Sequence, residues 1–467
     1  MLRVLFILLL RSFLKKINFN NWKQVWQIAW PLIVANSFWN LQITIDRVFL
    51  GQYSIDALAA VMAAVGVFWA PMALIQQTAS YVMTFIAQYI GAKQPHMVGP
   101  SVWQSVYISV VGGVLFLGLI PLSSFVFYWF GHSQNIQALE IEYFNALCFS
   151  ALPTALVAAA SGFFTGLGRS KVIMLINCMG LIVNVILDYV LIFGNYGFPE
   201  MGVEGAGYAT ALANVAAAIL GFYLVFKNEN REKYNLTESW KYNSDLLKRF
   251  LKFGLPSGMQ WALEGLGFTV FLIFIGRMPN GDAALAASSI AVTIMLLSAL
   301  PAIGVAQAVS IMVGQCLGEK NPQKAEAYSW SGVQISMFYI ILMGISFLCF
   351  PNFYLNWFHN AENKELWGEL SVIVPYLLMF VALFTVFDSL NFVFSFALKG
   401  AGDTRFVTFV ALLLPWPLMV LPTFLVSHLQ TGVYWAWAAA SLFIIVQALV
   451  FLWRFTGGKW KEMSVIH

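Results

Sequence analysis

Charged residues are scarce in this chain of 467 residues. Asp, Glu, Lys and Arg make up 10% of the sequence, and hydrophobic residues make up 60%. A soluble domain carries about a quarter charged residues. Apolar runs of about 20 residues, each long enough to cross a hydrocarbon core of about 30 Å, recur from end to end. The polar segments between them leave no room for a soluble catalytic domain, so we expect a polytopic helical membrane protein and no enzyme.

Several chemical motifs are missing as well. The four cysteines form no CxxC pair and the five histidines have no metal-ligand spacing, which argues against a disulfide framework or a structural metal. Neither GxxxxGK[ST] nor a strand-led GxGxxG occurs, so ATP hydrolysis on this chain cannot drive its activity. The net charge of +4 fits membrane topology and anionic lipid better than nucleic acid. We expect no nucleic-acid partner and no cofactor other than a coupling ion.

Twelve apolar spans can be delimited, six in each half of the chain. The spans of the first half are 26–50, 58–90, 101–130, 143–165, 172–194 and 205–226. Those of the second half are 250–276, 284–317, 329–350, 370–398, 406–426 and 433–453. Several exceed the length that a bilayer requires, which predicts tilted helices or helices that extend beyond the membrane.

The two halves repeat each other. Residues 88–95 read QYIGAKQP, and residues 315–322 read QCLGEKNP, 227 positions later. Pro31 recurs in the same way as Pro256, 225 positions later. Because each half holds an even number of spans, both halves enter the membrane from the same side, and the repeat is parallel. Duplicated membrane chains are typically transporters with a site between the halves.

The positive charges predict the orientation. All but three of the 25 Lys and Arg residues fall on one side of the predicted membrane, the exceptions being Arg47, Arg277 and Lys364. The positive-inside rule then places both termini in the cytoplasm. We expect the protein to lie in the inner (plasma) membrane. We divide the chain into a cytoplasmic N-terminal segment 1–25, an N-lobe 26–227, a cytoplasmic linker 228–249, a C-lobe 250–456 and a cytoplasmic tail 457–467.

Four acidic residues lie well inside apolar spans: Asp46, Asp188, Glu264 and Asp388. A charge at the bilayer centre costs at least about 2.5–3.5 kcal/mol on insertion scales, so such residues typically face the protein interior and serve function. At 1.5 Å per residue, Asp46 and Asp188 lie about 7.5 Å and about 9 Å from the outer ends of their helices. Glu264 and Asp388 lie nearer the midplane.

The N-lobe carboxylates have polar neighbours at a similar depth. Asn184 precedes Asp188 by one helical turn and therefore shares its face. Thr210, on the next span, reaches about the same depth. With Asp46, these oxygen atoms suit either a hard cation such as Na⁺ or a shared proton, and we predict a cation or proton site from all four residues. Pro31 removes a backbone hydrogen bond from the first span and predicts a hinge there.

The C-lobe carboxylates do not correspond to the N-lobe pair through the repeat. Glu264 and Asp388 lie on helices of opposite direction, and no basic residue is near either of them in sequence. An organic cation could supply the missing charge, so we predict that both residues bind substrate. Trp261 and Phe384 are expected to add apolar contacts.

Several segments resemble the multidrug and toxic compound extrusion (MATE) family. They are IDRVFLGQYSIDALAAV (45–61), AQYIGAKQP (87–95), NVILDYVLI (184–192), GVEGAGYAT (202–210) and the glycine-rich turns GFFTGLGRSK and FALKGAGDT. The resemblance covers nearly the whole chain. It implies that Asp46, Asn184, Asp188 and Thr210 form a cation site, as the matching residues do in members with this pattern.

The resemblance combines features of two branches of the family. Glu264 and Asp388 match carboxylates of the NorM-type branch, whereas Asp188 is more typical of the DinF-type branch. Trp39 stands where many members have Gln, and Phe384 stands where some have Tyr. These two departures bear on which substrate groups are contacted and on which ion is coupled to transport.

We therefore predict an all-α polytopic membrane protein with twelve transmembrane helices in two parallel six-helix bundles. It is expected to act as a monomer in the lipid bilayer, exporting small amphipathic, often cationic organic compounds in exchange for H⁺ or Na⁺ by alternating access. A lipid-linked oligosaccharide flippase is the alternative transporter, but its phosphates would favour a cationic cavity. A non-transporting membrane scaffold is the alternative of another class, and it gives no reason for four carboxylates in apolar helices.

Overall fold

The computed structural model describes residues 18–130, 132–278, 280–358 and 364–466, and the regular elements in these ranges are helices. Much of the predicted N-terminal segment 1–25 lies outside the described residues, as does the last residue of the predicted tail 457–467. Lys364, predicted on the outer side, begins a helix, but its side chain is likewise outside the description.

The described part of the first half runs from one long helix through a series of shorter ones. The helices are α1 (Phe19–Tyr53), α2 (Ile55–Ser80), α3 (Val82–Gly91), α4 (Val98–Leu117), α5 (Ser123–Tyr128), α6 (Gln134–Cys148), α7 (Ala151–Gly166), α8 (Ser170–Phe193), α9 (Gly202–Val225) and α10 (Asn228–Lys233). The short helix α10 lies in the polar segment between the halves.

The second half contains longer helices. They are α11 (Ser244–Ile275), α12 (Gly281–Gly318), α13 (Pro322–Cys349), α14 (Pro351–Leu355), α15 (Lys364–Ala401), α16 (Thr404–Leu413), α17 (Leu421–Leu429) and α18 (Val433–Thr456). Between α16 and α17 the chain forms a π-helical segment, Trp416–Val420. Pro415 and Pro417 lack the backbone N–H that a regular α-helix needs, which explains the irregular hydrogen bonding there.

The long helices follow the predicted spans in order along the chain. Among the described residues, ten helical segments are long and apolar enough to cross a membrane. Helices α6 and α7 together form an eleventh, with a bend of 42° between them. The first predicted span lies within α1, which is 35 residues long. With α1, the described residues therefore contain a helical segment at each of the twelve predicted spans.

The described chain packs as two compact units. The N-unit comprises Pro31–Ala262, Gly318–Lys320 and the residues from Ser464 onward. The C-unit comprises Leu263–Leu317, Asn321–Met463 and the described residues up to Trp30. The division falls inside helices, since α1 passes from one unit to the other at Pro31 and α11 does so at Leu263.

Glycines set the spacing of the N-unit helices. A Cβ atom on Gly207 of α9 would lie 2.6 Å from the Cβ of Ala146 on α6, and one on Gly205 would lie 2.8 Å from the backbone of Leu191 on α8. Side chains would therefore push α9 away from both neighbours, whereas glycine allows the backbones to approach, as is typical of membrane helices. This packing brings α6, α8 and α9 together where the predicted cation site lies.

Aromatic side chains fill the core of the C-unit. Trp437 on α18 lies between Phe271 on α11 and Phe384 on α15, with ring centroids 6.1 and 6.4 Å away. Its indole Nε1 donates to the hydroxyl of Ser288 on α12 at 3.0 Å. Phe384 is buried in this core. Its contact with substrate stays a prediction, and in this structure its ring packs on Trp437.

Candidate functional site

The N-unit holds a cluster of buried polar side chains from α1 and α8. Asn184 and Asp188 are both 0% exposed. Asp46 reaches them from α1, and its carboxyl group interacts with both side chains. The structure thus brings together three of the four residues predicted for the cation site.

Most polar atoms of this cluster have no hydrogen-bond partner. Asp46 Oδ1, both carboxylate oxygens of Asp188 and both amide atoms of Asn184 are buried without one among the described residues. The oxygens of two ionised carboxylates are acceptors only and cannot bond to each other unless a proton lies between them. Each buried polar group without a partner costs about 1–3 kcal/mol. A hard cation or a proton bound among these oxygens would reduce that cost, so the donor set fits either ion.

Tyr143 is a further member of the cluster that the sequence does not predict. It lies on α6, is buried, and is close enough to Asp46 and Asp188 to interact electrostatically with both. In the sequence it only marks the start of the fourth predicted span. Nothing in that position indicates a neighbour on α1 or α8, because the contact depends on how the three helices pack.

Thr210 stands apart from the other three predicted residues. It lies on α9 and is partly exposed, and its backbone carbonyl accepts a hydrogen bond from Asn214 Nδ2 at 2.9 Å. The contacts of the described residues do not join its hydroxyl to either carboxylate. Its place in the cation site therefore stays a prediction.

The C-unit holds a second polar cluster, in which two amides connect the two carboxylates. Gln447 Nε2 on α18 donates to Glu264 Oε1 on α11 at 3.3 Å. Gln447 Oε1 accepts from Asn391 Nδ2 on α15 at 2.9 Å. The same Asn391 nitrogen lies 3.5 Å from Asp388 Oδ1. Glu264 and Asp388 are thus brought together, through residues from three helices.

The two amides were not predicted. Asn391 follows Asp388 by three residues and shares its face of the helix, so its position offered a usable signal. Gln447 lies alone in an apolar span that is distant in sequence. Both are buried, and buried amides in a membrane helix need partners for the same reason as charges do.

Lys399 corrects the expectation that no basic residue lies near the C-unit carboxylates. It is 3% exposed on the last turn of α15, and its charge interacts with that of Glu264. Its Nζ lies 4.1 Å from the ring centroid of Phe396. The next residue, Gly400, explains the burial: a Cβ there would lie 2.4 Å from Ser310 O on α12, so glycine draws the end of α15 into the unit.

The described residues form twelve apolar helical spans, and carboxylates are buried in each of the two units. This combination is typical of a membrane transporter. A family model, MatE, matches residues 31–190 and again residues 256–425. The two matches begin at Pro31 and Pro256, which confirms the predicted duplication. The chain belongs to the MatE family of membrane transporters, and the predicted resemblance is confirmed.

Curated relatives align along nearly the whole chain. It is 27% identical over 452 residues to a probable multidrug resistance protein NorM of Thermotoga maritima, an alignment that covers 95% of this chain and 94% of the relative. It is 26% identical to a protein of the same name from Brucella suis, with 92% of each chain covered.

Solved structures share the fold. A MOP superfamily transporter from Pyrococcus furiosus superposes with a TM-score of 0.86 at 22% identity, covering 95% of this chain and 97% of that one. A multidrug resistance MATE family transporter in an outward-facing conformation gives a TM-score of 0.85 at 22% identity, with the same coverage. At this identity the likeness concerns the fold, and it confirms the predicted all-α, twelve-helix architecture.

Proposed function

We propose that this protein exports amphipathic, often cationic organic compounds from the cell in exchange for H⁺ or Na⁺. The observation that carries the proposal is the presence of two separate carboxylate clusters, one within each unit. Two sites of different composition suit two different ligands. The names of the relatives, which describe multidrug resistance, support an organic substrate.

The N-unit cluster is the better candidate for the coupling ion. Asp46 and Asp188 share a small buried site with Asn184, and the polar atoms there that have no partner would be satisfied by one small cation. Two carboxylates so close together also favour binding of at least one proton.

The C-unit cluster is the better candidate for the substrate. Gln447 and Asn391 donate to the carboxylates and so fix their orientation, while Lys399 offsets part of the negative charge. Two carboxylates and one lysine leave a net negative charge in the cluster. A cationic group of the substrate can neutralise this charge. This balance disfavours a flippase for lipid-linked phosphates, which would require an excess of basic residues.

We assign the coupling between ion and substrate to alternating access, with Pro31 as the hinge. Pro31 lies in α1 at the point where the helix changes unit, and Asp46 lies on the same helix. A change of charge at Asp46 can therefore bend α1 at Pro31, where the helix already lacks one backbone hydrogen bond. The proposed membrane is the inner (plasma) membrane, with both termini in the cytoplasm.

Efflux from vesicles tests the proposal. The purified protein is reconstituted into liposomes, and transport of a fluorescent organic cation is followed while a pH gradient or a Na⁺ gradient is imposed alone. We expect transport against the dye gradient under one of the two conditions. Dye movement that depends on neither gradient would contradict ion coupling, and an absence of dye movement under all conditions would contradict the proposed substrate class.

A further inference from the structure

A histidine and a glutamate outside both clusters connect the surface of the N-unit to its interior. His132 Nδ1 lies 2.6 Å from Glu140 Oε1. The side chain of His132 is 43% exposed, whereas that of Glu140 is 0% exposed. Glu140 Oε2 is buried without a hydrogen-bond partner among the described residues. A packing role alone does not explain a fully buried carboxyl group with one oxygen unsatisfied.

Helix α6 connects the His132–Glu140 pair to the N-unit cluster. Glu140 and Tyr143 are three residues apart on α6, a spacing that places both side chains on the same face of the helix. Tyr143 in turn interacts with Asp46 and Asp188. One face of α6 therefore carries both the partner of the exposed imidazole and a neighbour of the buried carboxylates. His132 precedes the fourth span, on the side that the charge distribution predicts to be extracytoplasmic.

The other ionisable groups around α6 do not form a comparable pair. Helices α2, α5 and α9 pack against α6. They carry Asp56, Tyr128, Glu204, Tyr208 and Tyr223. Asp56 is exposed, Glu204 interacts with Tyr208 on its own helix, and Tyr223 lies in the last turn of α9. On α6 itself, Glu142 is exposed and interacts with Tyr53.

We propose that His132 and Glu140 form a proton-uptake site that supplies the Asp46–Asp188 pair from the extracytoplasmic side. This inference rests on the proposed function and takes the proton as the coupling ion. A proton from water binds to Nε2 of the imidazole while the proton on Nδ1 passes to Glu140, so the histidine ends neutral. Glu140 holds the proton as a neutral acid and becomes a carboxylate again when the proton moves on past Tyr143, whose hydroxyl group remains protonated.

The test compares Glu140→Gln and His132→Ala with the matched control Glu142→Gln, a glutamate two residues away that is exposed. Each variant is reconstituted, and proton-driven transport of the dye is measured as the pH on the His132 side is varied. When protons on that side are scarce, we expect a loss of about a hundredfold for Glu140→Gln and His132→Ala, the low end of what a positioned proton-transfer group contributes. The loss should shrink as that side is acidified, and Glu142→Gln should behave like the wild type.

Chemical rescue separates proton uptake from a structural role. Added imidazole should restore transport by His132→Ala, because a small base replaces the missing ring, whereas it cannot repair a destabilised helix. A wild-type pH profile for both variants would overturn the inference, as would a loss that is equal at every pH and not relieved by imidazole. The proposed function fails in a different way, since the wild type itself would then show no gradient-driven transport. Transport driven by Na⁺ alone would overturn this inference and leave the proposed function standing.

Discussion

Replacing Gln447 by leucine removes the amide that connects the two C-unit carboxylates while keeping much of the side-chain volume. The substitution deletes the donor to Glu264 Oε1 at 3.3 Å and the acceptor for Asn391 Nδ2 at 2.9 Å. It leaves Asp388 with Asn391 as a contact at 3.5 Å. The orientation of Glu264 is therefore lost first, while the packing of α18 is largely retained.

The structure gives the size of the expected effect. A hydrogen bond to a charged group contributes about 1.5–3 kcal/mol, and the long distance to Glu264 places this bond at the lower end. Because 1.4 kcal/mol corresponds to a factor of about ten, we expect Gln447→Leu to weaken binding of a cationic dye about tenfold. A neutral apolar dye does not need the carboxylate and should bind with little change.

Fluorescence titration of the purified variants measures both affinities. Glu264→Gln and Asp388→Asn serve as reference variants, since they remove a negative charge directly and should weaken binding of the cationic dye further. Ser441→Ala is the matched control on α18, because among the described residues the Ser441 hydroxyl bonds to the carbonyl of Trp437 on its own helix, at 2.8 Å, and to no residue of the cluster. Equal losses for the cationic and the neutral dye, or no loss for either, would refute the assignment of substrate to this cluster.

Three further predictions concern topology, the hinge and helix packing. A cysteine at Lys93 should be labelled by a membrane-impermeant reagent only from the cytoplasmic side, and labelling from outside would reverse the predicted orientation. Pro31→Ala restores a backbone hydrogen bond, so we expect unchanged or higher thermal stability with slower dye efflux, and wild-type efflux would exclude the hinge. Gly113→Val should lower stability by about 1–3 kcal/mol in thermal unfolding, since its Cβ would lie 2.5 Å from Leu152 Cα, whereas Gly66→Ala has open space and should not.

The sequence predicted those features that depend on one helix at a time. Runs of apolar residues defined the spans, and the spacing of Pro31 and Pro256 revealed the duplication that the two family matches confirm. The shared face of Asn184 and Asp188 follows from helical periodicity. The distance of Asp46 from the outer end of its helix placed it at the same depth as that pair. The structure shows the interaction.

The features that the sequence did not predict depend on contacts between helices. Tyr143 and Gln447 reach their carboxylates from helices distant in sequence, so neither periodicity nor depth identifies the partner. Lys399 was placed in a loop because it follows an apolar span, yet the close approach at Gly400 buries it. Thr210 was assigned by its depth and by the family resemblance, and neither determines the direction of its side chain around α9.

The most direct test of the central claim is gradient-driven efflux by Asp188→Asn. This variant keeps the size of the side chain and removes one of the two carboxylates that share the N-unit cluster. We predict that it binds the cationic dye with wild-type affinity through the C-unit but exports none under either a pH or a Na⁺ gradient. Export at the wild-type rate under the gradient that drives the wild-type protein would contradict the assignment of the coupling ion to this cluster.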